Sequence, residues 1–239
     1  FVIGACYLVK GISLLNTPGI RRYVWMPIAM NLVLLTMAVM GVIHWLDGWQ
    51  GFESGWFGWA SWLVMPVLLL LLLIVSGYFF SALLVAIASP FYGLLAGRVE
   101  TMEGVVAPEE GLLHLVLRTF AREWQKIRYF LPRYLLLLVL TLIPGVNLVM
   151  PFVWFWFGSW IMALQYRDYT LDNQGINFAD SRLILEGDRW GSLGFGALVS
   201  VLMLVPVLNC FIPPAAVIGA TLWHLDSLKP DGRRLYDRS

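Results

Sequence analysis

"LIPGVNLVMP", residues 142–151, lies near the middle of one uncharged apolar stretch, and "LVPVLNCFIP", residues 204–213, lies near the middle of another. Both carry Pro-x-x-Asn-x-x-x-Pro, as Pro144, Asn147 and Pro151 and then Pro206, Asn209 and Pro213, with matching aliphatic neighbours. The shared position favours an internal duplication over chance. Proline lacks a backbone N–H and clashes with the preceding turn, so each stretch should break into two helical pieces. Pieces 134–143, 152–166, 192–205 and 215–225 would reach about 15, 22, 21 and 16 Å, short of the roughly 30 Å of a bilayer core. The spacing therefore predicts two re-entrant helical hairpins that penetrate the membrane partway from the cytoplasmic side. The competing reading, one kinked span per stretch, would send the charged segment 167–189 to the opposite side.

The composition calls for a membrane. The chain is 59% hydrophobic and 13% charged, against about 45–50% and 25% in a soluble domain. Residues 23–46 contain no Asp, Glu, Lys or Arg and are long enough to span. A second uncharged run, 54–97, opens with Trp56, Phe57, Trp59 and Trp62, an aromatic cluster suited to the membrane interface. All 16 Lys and Arg lie outside the loop from Asp47 to Glu53, which should therefore be external. In 109–133, Leu113, Val116, Leu117, Phe120, Trp124, Ile127 and Leu131 recur at three- and four-residue intervals opposite Arg118, Arg122, Gln125 and Lys126. This predicts an amphipathic helix lying on the membrane or on a neighbouring subunit. The expectation is an all-α integral membrane protein with two transmembrane helices, two re-entrant hairpins and amphipathic interfacial helices, forming one membrane-embedded domain over 1–239. Buried hairpin tips need cover that two spans cannot supply, so a homo-oligomer is expected.

Several functions are disfavoured. A net charge of +1 with scattered arginines offers nucleic acid no basic stripe. Cys6 and Cys210 form neither a disulfide framework nor a metal site, and the three histidines lack metal-ligand spacing. There is no G-x-S-x-G, H-E-x-x-H or phosphate loop, and "GSLGFG" at 191–196 starts an apolar helix rather than following a strand, so no enzyme and no cofactor are expected. Asp168 and Asp172 could share a helix face, but a solvated loop, with Asp172-Asn173 opening a turn before Gly175, is the preferred reading. No Asp, Glu, Lys or Arg interrupts the apolar runs, which argues against tight proton coupling. Pro151 and Pro213 or Pro214 suit the first position of each returning half-helix, whose N-terminus would then favour anions inside the bilayer. Asn147 and Asn209 would line that path or cap the turns.

"NTPGIRRYVWMP", residues 16–27, places two arginines against the first apolar run. With Thr17 as N-cap and Pro18 in the first helical position, the N–H groups of Gly19 and Ile20 would be open to a ligand. Gly19 permits close approach, and Arg21 and Arg22 would balance a dianion such as sulfate or phosphate. The alternative is that both arginines merely mark the cytoplasmic side of the membrane.

"GISLLNTPGIRRYVWMPIAMN" (11–31) resembles the amino-terminal signature of the CysZ sulfate permeases, and "SPFYGLLAGRVE" (89–100) and "DYTLDNQGINF" (168–178) resemble further segments of that family. The resemblance implies that Gly19, Ile20, Arg21 and Arg22 bind sulfate, Ile20 standing where leucine is usual. By the same resemblance, Gln165 stands where the family has an acidic residue before the Asp-Tyr motif. It also implies an oligomeric permease of the bacterial inner membrane, in contact with the lipid bilayer, that takes up sulfate for cysteine synthesis. Against this stands a non-transporting scaffold or regulator whose arginines bind anionic lipid headgroups.

Overall fold

The computed structural model describes residues 2–47, 67, 70, 88–105, 111–209 and 211–229, and among these it contains helices and turns but no strand. The helices are α1 (Val2–Leu14), α2 (Arg21–Asp47), α3 (88–102), α4 (Leu112–Thr141), α5 (Met150–Asn173), α6 (Phe178–Gly187), α7 (Arg189–Leu202), the short α8 (Pro206–Asn209) and α9 (Ile212–Ser227). The chain divides into two compact units, 26–88 and the remainder.

In the first of these, α2 exposes Leu32, Val33, Met37, Val39, Met40 and Ile43. The Thr36 hydroxyl donates to the Leu32 carbonyl one turn back (2.8 Å), so this polar group is satisfied within the helix. Most of the second predicted span and the loop at 48–53 lie outside the described residues. Among the described residues no helix is both long and apolar enough to cross a membrane.

The larger unit is assembled at glycines. A Cβ on Gly196 of α7 would fall 1.8 Å from the Ser159 carbonyl oxygen of α5. One on Gly11 of α1 would fall 2.1 Å from the Ala215 oxygen of α9, and one on Gly4 would fall 2.3 Å from the Gly191 oxygen of α7. Backbones meet where side chains would otherwise hold helices 8–10 Å apart. Around these crossings Tyr7, Leu8, Leu164, Phe195, Ile218 and Leu222 are fully buried. Tyr7 stacks on Trp223 (5.8 Å between centroids) and donates its hydroxyl to Asp226 (2.8 Å).

The helices break at both repeated motifs. After α4, Gly145 adopts φ 87°, a single 3₁₀ turn follows at Val146–Leu148, and Pro151 occupies the first turn of α5. Trp154 donates to the Thr141 hydroxyl (3.0 Å) near the tip, and Arg118 meets Asp172 (3.0 Å) at the far end, so α4 and α5 form an antiparallel hairpin. At the second motif α7 ends at Leu202, and α9 starts at Ile212 with proline in its first turn.

The first hairpin departs from expectation. Its outgoing leg is not a separate short piece: α4 runs without interruption through Pro132 for 30 residues. The proline removes one hydrogen bond, while contacts on both sides of it, Arg118 to Asp172 and Tyr134 to Trp154 (4.8 Å between rings), hold both halves against α5. The amphipathic segment turns its apolar face outward, as a helix lying on a membrane or on a neighbouring subunit would. Leu113, Leu117 and Trp124 are 74%, 61% and 62% exposed, whereas Arg122 and Lys126 are buried. Apolar side chains are exposed at the hairpin tips too, with Leu142 at 78% and Leu204 at 80%.

Candidate functional site

Between α1 and α2 the chain reverses in a short turn. The Thr17 carbonyl accepts from the N–H groups of Ile20 (3.0 Å) and Arg21 (3.2 Å), and Gly19 sits at φ 93°. That conformation cannot continue into a right-handed helix, so α2 starts at Arg21. Thr17 is therefore not its N-cap, and the N–H of Ile20 is not open. Among the described residues, the N–H groups of Gly19 and Arg22 donate to no backbone carbonyl. Ile20 is 1% exposed and anchors the turn, and its carbonyl accepts from Tyr23 and Val24.

Arg21 and Arg22 are exposed, and neither pairs with a carboxylate among the described residues. A third arginine stands against the same turn: a Cβ on Gly19 would lie 3.3 Å from Nη2 and 3.7 Å from Nε of Arg98, on α3. Arg98 lies in the segment "SPFYGLLAGRVE", but nothing in that string points to Gly19. Trp25, one turn into α2, meets Phe211 edge-on (6.0 Å), joining this helix start to the residue that precedes α9.

Asn147 is exposed at the turn between α4 and α5, and Asn209 is exposed at the break between α7 and α9. Neither occupies a helix N-cap: Val149 precedes α5 and Phe211 precedes α9, and neither supplies a side-chain hydrogen bond. Both returning helices thus begin with proline in the first turn and no side-chain cap.

The densest polar cluster went undetected in the sequence. Arg122 grips Asp168 with two nitrogens, Nη2 to Oδ1 (2.6 Å) and Nε to Oδ2 (3.0 Å), and Nη2 also donates to Ser181 (2.7 Å). Lys126 bridges Asp168 (3.2 Å) and Glu123 (3.0 Å). Ser89 of α3 lies 2.6 Å from Glu123 and 3.0 Å from the Tyr169 hydroxyl. The Gln165 amide donates to that hydroxyl (2.9 Å) and to Glu123 (3.3 Å). A carboxylate at 165 would face Glu123 directly, which gives a physical reason for an amide here. Asn173 and Gln174 extend the network to Glu100 on α3.

Burial drives the Asp168 carboxyl upward, but Lys126 and Arg122 more than offset it and hold it below the ordinary carboxylate range. Burial lowers Lys126, yet Asp168 and Glu123 keep it above the usual ammonium range. Asp172 goes the other way: burial outweighs Arg118 and Arg122, and its pKa rises. The Asp172-Asn173 pair is not in a solvated loop, since α5 continues through Asn173 and ends where Gly175 takes φ 72°. The sequence did carry a signal: Arg118, Arg122 and Lys126 at four-residue spacing match Asp168 and Asp172 at the same spacing. With its charges paired, the cluster locks α4 to α5 and α6 and is not an open anion site.

A family model described as sulfate transporter CysZ/etoposide-induced protein 2.4 matches residues 7–214. Proteins named sulfate transporter CysZ from Salmonella paratyphi A, Salmonella typhi and Salmonella typhimurium are each 40% identical over 232 residues, covering 93% of this chain and 92% of theirs.

Proposed function

Because this chain belongs to the sulfate transporter CysZ/etoposide-induced protein 2.4 family, we infer that it takes up sulfate across the bacterial inner membrane, supplying cysteine synthesis. It is a transporter and not an enzyme. The observation that carries this reading is the extent of the likeness, 40% identity over 93% of the chain, which no single motif explains.

The proposed entrance is the turn at Gly19, Ile20, Arg21 and Arg22. Sulfate carries two negative charges and four acceptor oxygens. Two arginines that pair with no carboxylate among the described residues, Arg98 against Gly19, and the N–H groups of Gly19 and Arg22 suit such an ion. Ile20 holds the turn in place from within. A site of this kind, open to water, binds modestly, as conduction requires. Beyond it, the uncapped starts of α5 and α9 each present about half a positive charge, and the Asn147 and Asn209 amides can line the route.

The proposed topology takes the uncharged run 23–46 as one span and the run 54–97 as the other, with the two hairpins entering the bilayer partway, all within one domain over 1–239; it rests on the charge pattern of the sequence and not on a helix of the structure. Support comes from the uncharged run 23–46 and from the exposed apolar tips at Leu142 and Leu204. In a homo-oligomer those tips would be covered by neighbouring copies, and the outward apolar face of α4 by lipid or by a copy. The scaffold alternative has no observation in its favour.

Uptake of labelled sulfate into proteoliposomes tests the reading. Arg21→Ala and Arg22→Ala should each reduce flux about tenfold, the loss expected when one charge-assisted hydrogen bond to the ion is removed. Arg98→Ala should reduce it as well. Wild-type flux in all three variants refutes the entrance, and no flux from the wild-type protein alone refutes the transport reading. Gly19→Ala should lower stability by about 1–2 kcal/mol, because a side chain at positive φ is strained. It should also push Arg98 away and reduce flux; wild-type melting and flux together would exclude this geometry.

A further inference from the structure

A cavity of ≈ 580 Å³ opens between α4, α5, α6 and α7. Its wall is apolar and aromatic, with Leu136, Val153, Phe157 and Trp160 among the lining residues. Its polar lining includes Arg133, Arg189 and Glu186. Arg133 is the last charge before the uncharged run 134–166, and Arg189 is the last before the run 190–225. Two basic groups that border two different apolar runs therefore share one cavity. If those runs enter the bilayer, the cavity mouth is at headgroup level.

The cation arrangement points to an acidic ligand. The Arg133 guanidinium lies 3.8 Å from the Tyr129 ring centroid and donates one N–H to the Tyr129 carbonyl (2.6 Å), leaving its other donors for a partner. Arg182 lies 4.4 Å from the same ring, and its Nε is buried without a hydrogen-bond partner. Among the described residues neither Arg133, Arg182 nor Arg189 pairs with a carboxylate, Glu186 included. Trp156, another lining residue, meets Trp190 edge-on at 6.0 Å, an aromatic pair of the kind found at membrane interfaces.

We propose that this cavity binds one anionic phospholipid, its phosphate held by Arg133 and Arg189 and its upper acyl chains against the aromatic wall. The headgroup of phosphatidylglycerol leaves its phosphate charge unopposed for the two arginines and can donate a hydroxyl to Glu186, whereas the trimethylammonium of phosphatidylcholine is repelled by the arginines and cannot donate. The proposal rests on the hairpins being membrane-embedded but not on sulfate being the transported ion.

Native mass spectrometry of the detergent-solubilised full chain, titrated with phosphatidylglycerol and with phosphatidylcholine of the same chain length, tests it. The wild type should retain one phosphatidylglycerol per protomer with about tenfold preference over phosphatidylcholine, the size of one charge-assisted contact. Arg133→Gln with Arg189→Gln should abolish the preference, and Arg133→Lys with Arg189→Lys should retain part of it. Val153→Trp, which fills the cavity and leaves the charges in place, should prevent retention of either lipid. Equal retention of the two lipids by the wild type, or an unchanged preference in the double glutamine variant, overturns the assignment. So does displacement of phosphatidylglycerol by sodium sulfate but not by sodium chloride of equal ionic strength, since the cavity would then hold a free oxyanion. Sulfate flux is not the readout, so a failed lipid site and a failed transport reading give separate results.

Discussion

Asp168→Ala should lower the stability of the solubilised protein by about 3–5 kcal/mol, the cost of leaving a buried charge without its partner, and its melting temperature by about 10 °C. Asp168 is fully buried and Arg122 nearly so. Removing the carboxylate leaves Arg122 with Ser181 and a longer approach to Asp172 (3.6 Å), and leaves Lys126 with Glu123 and the face of the Tyr169 ring (4.7 Å). The exposed contact between Lys229 and Glu103 (3.7 Å) provides the contrast. Glu103→Gln should cost about 0–1 kcal/mol, because water and salt screen that pair. Thermal melts of both variants in detergent decide the matter, and a loss below about 1 kcal/mol for Asp168→Ala would contradict a buried role.

The pH dependence has a definite sign. The Asp168 pKa is depressed in the folded protein, so its contribution is present above the unfolded value of about 3.9 and is lost as pH falls through the folded value. The Lys126 pKa is raised, so its contribution is complete below about 10.4 and is lost as pH rises through the folded value. Asp172 is raised by burial and acts oppositely to Asp168: it favours the fold in acid and loses that contribution as pH climbs through its elevated pKa. From about pH 6 to 9, Asp168 and Lys126 hold fixed charges, and their contribution to melting should be flat there. A steep slope abolished by Asp168→Asn would show that this carboxyl titrates in that window.

Gly196→Ala should produce the other large effect. The added methyl would sit 1.8 Å from the Ser159 oxygen, 2.8 Å from its carbonyl carbon and 2.9 Å from the Ala163 nitrogen. All three are backbone atoms of α5, so no side-chain rotation relieves the overlap and the helices must separate. The expected loss is at or beyond the upper end of the about 1–3 kcal/mol typical of overpacking, seen as reduced yield of folded protein and a lower melting temperature. Gly158, on α5, has open space around its missing Cβ. Gly158→Ala should be neutral or stabilising by up to about 1 kcal/mol, since alanine is the better helix former. If the two variants melt alike, the close crossing of α5 and α7 is wrong.

The legibility of this protein differs from element to element. The helix breaks at the two Pro-x-x-Asn-x-x-x-Pro motifs were readable because proline acts locally, on its own turn. The positive φ of Gly19 was not: the expected helix start placed Thr17 as N-cap, and only the packed position of Ile20 and the bonds to the Thr17 carbonyl move the start to Arg21. Arg98 beside Gly19, and Ser89, Glu123 and Tyr169 in one cluster, join residues far apart in the chain, and periodicity within one helix says nothing about such meetings. For α4 the amphipathic pattern and its outward apolar face were readable, but the partners of its charged face were not. In water the apolar face would be buried; here the charged face finds partners on α5 and the apolar one points outward.

Composition and proline spacing by themselves established an all-helical chain, its suitability for a membrane, and the places where its hairpins turn, because these depend on local sterics and on the cost of placing polar backbone in lipid. Tertiary structure alone decided which glycines let backbones touch, which charges are buried as pairs, and which arginine stands against the turn before α2. Those outcomes depend on close packing between segments distant in sequence, and no one-dimensional pattern records that distance.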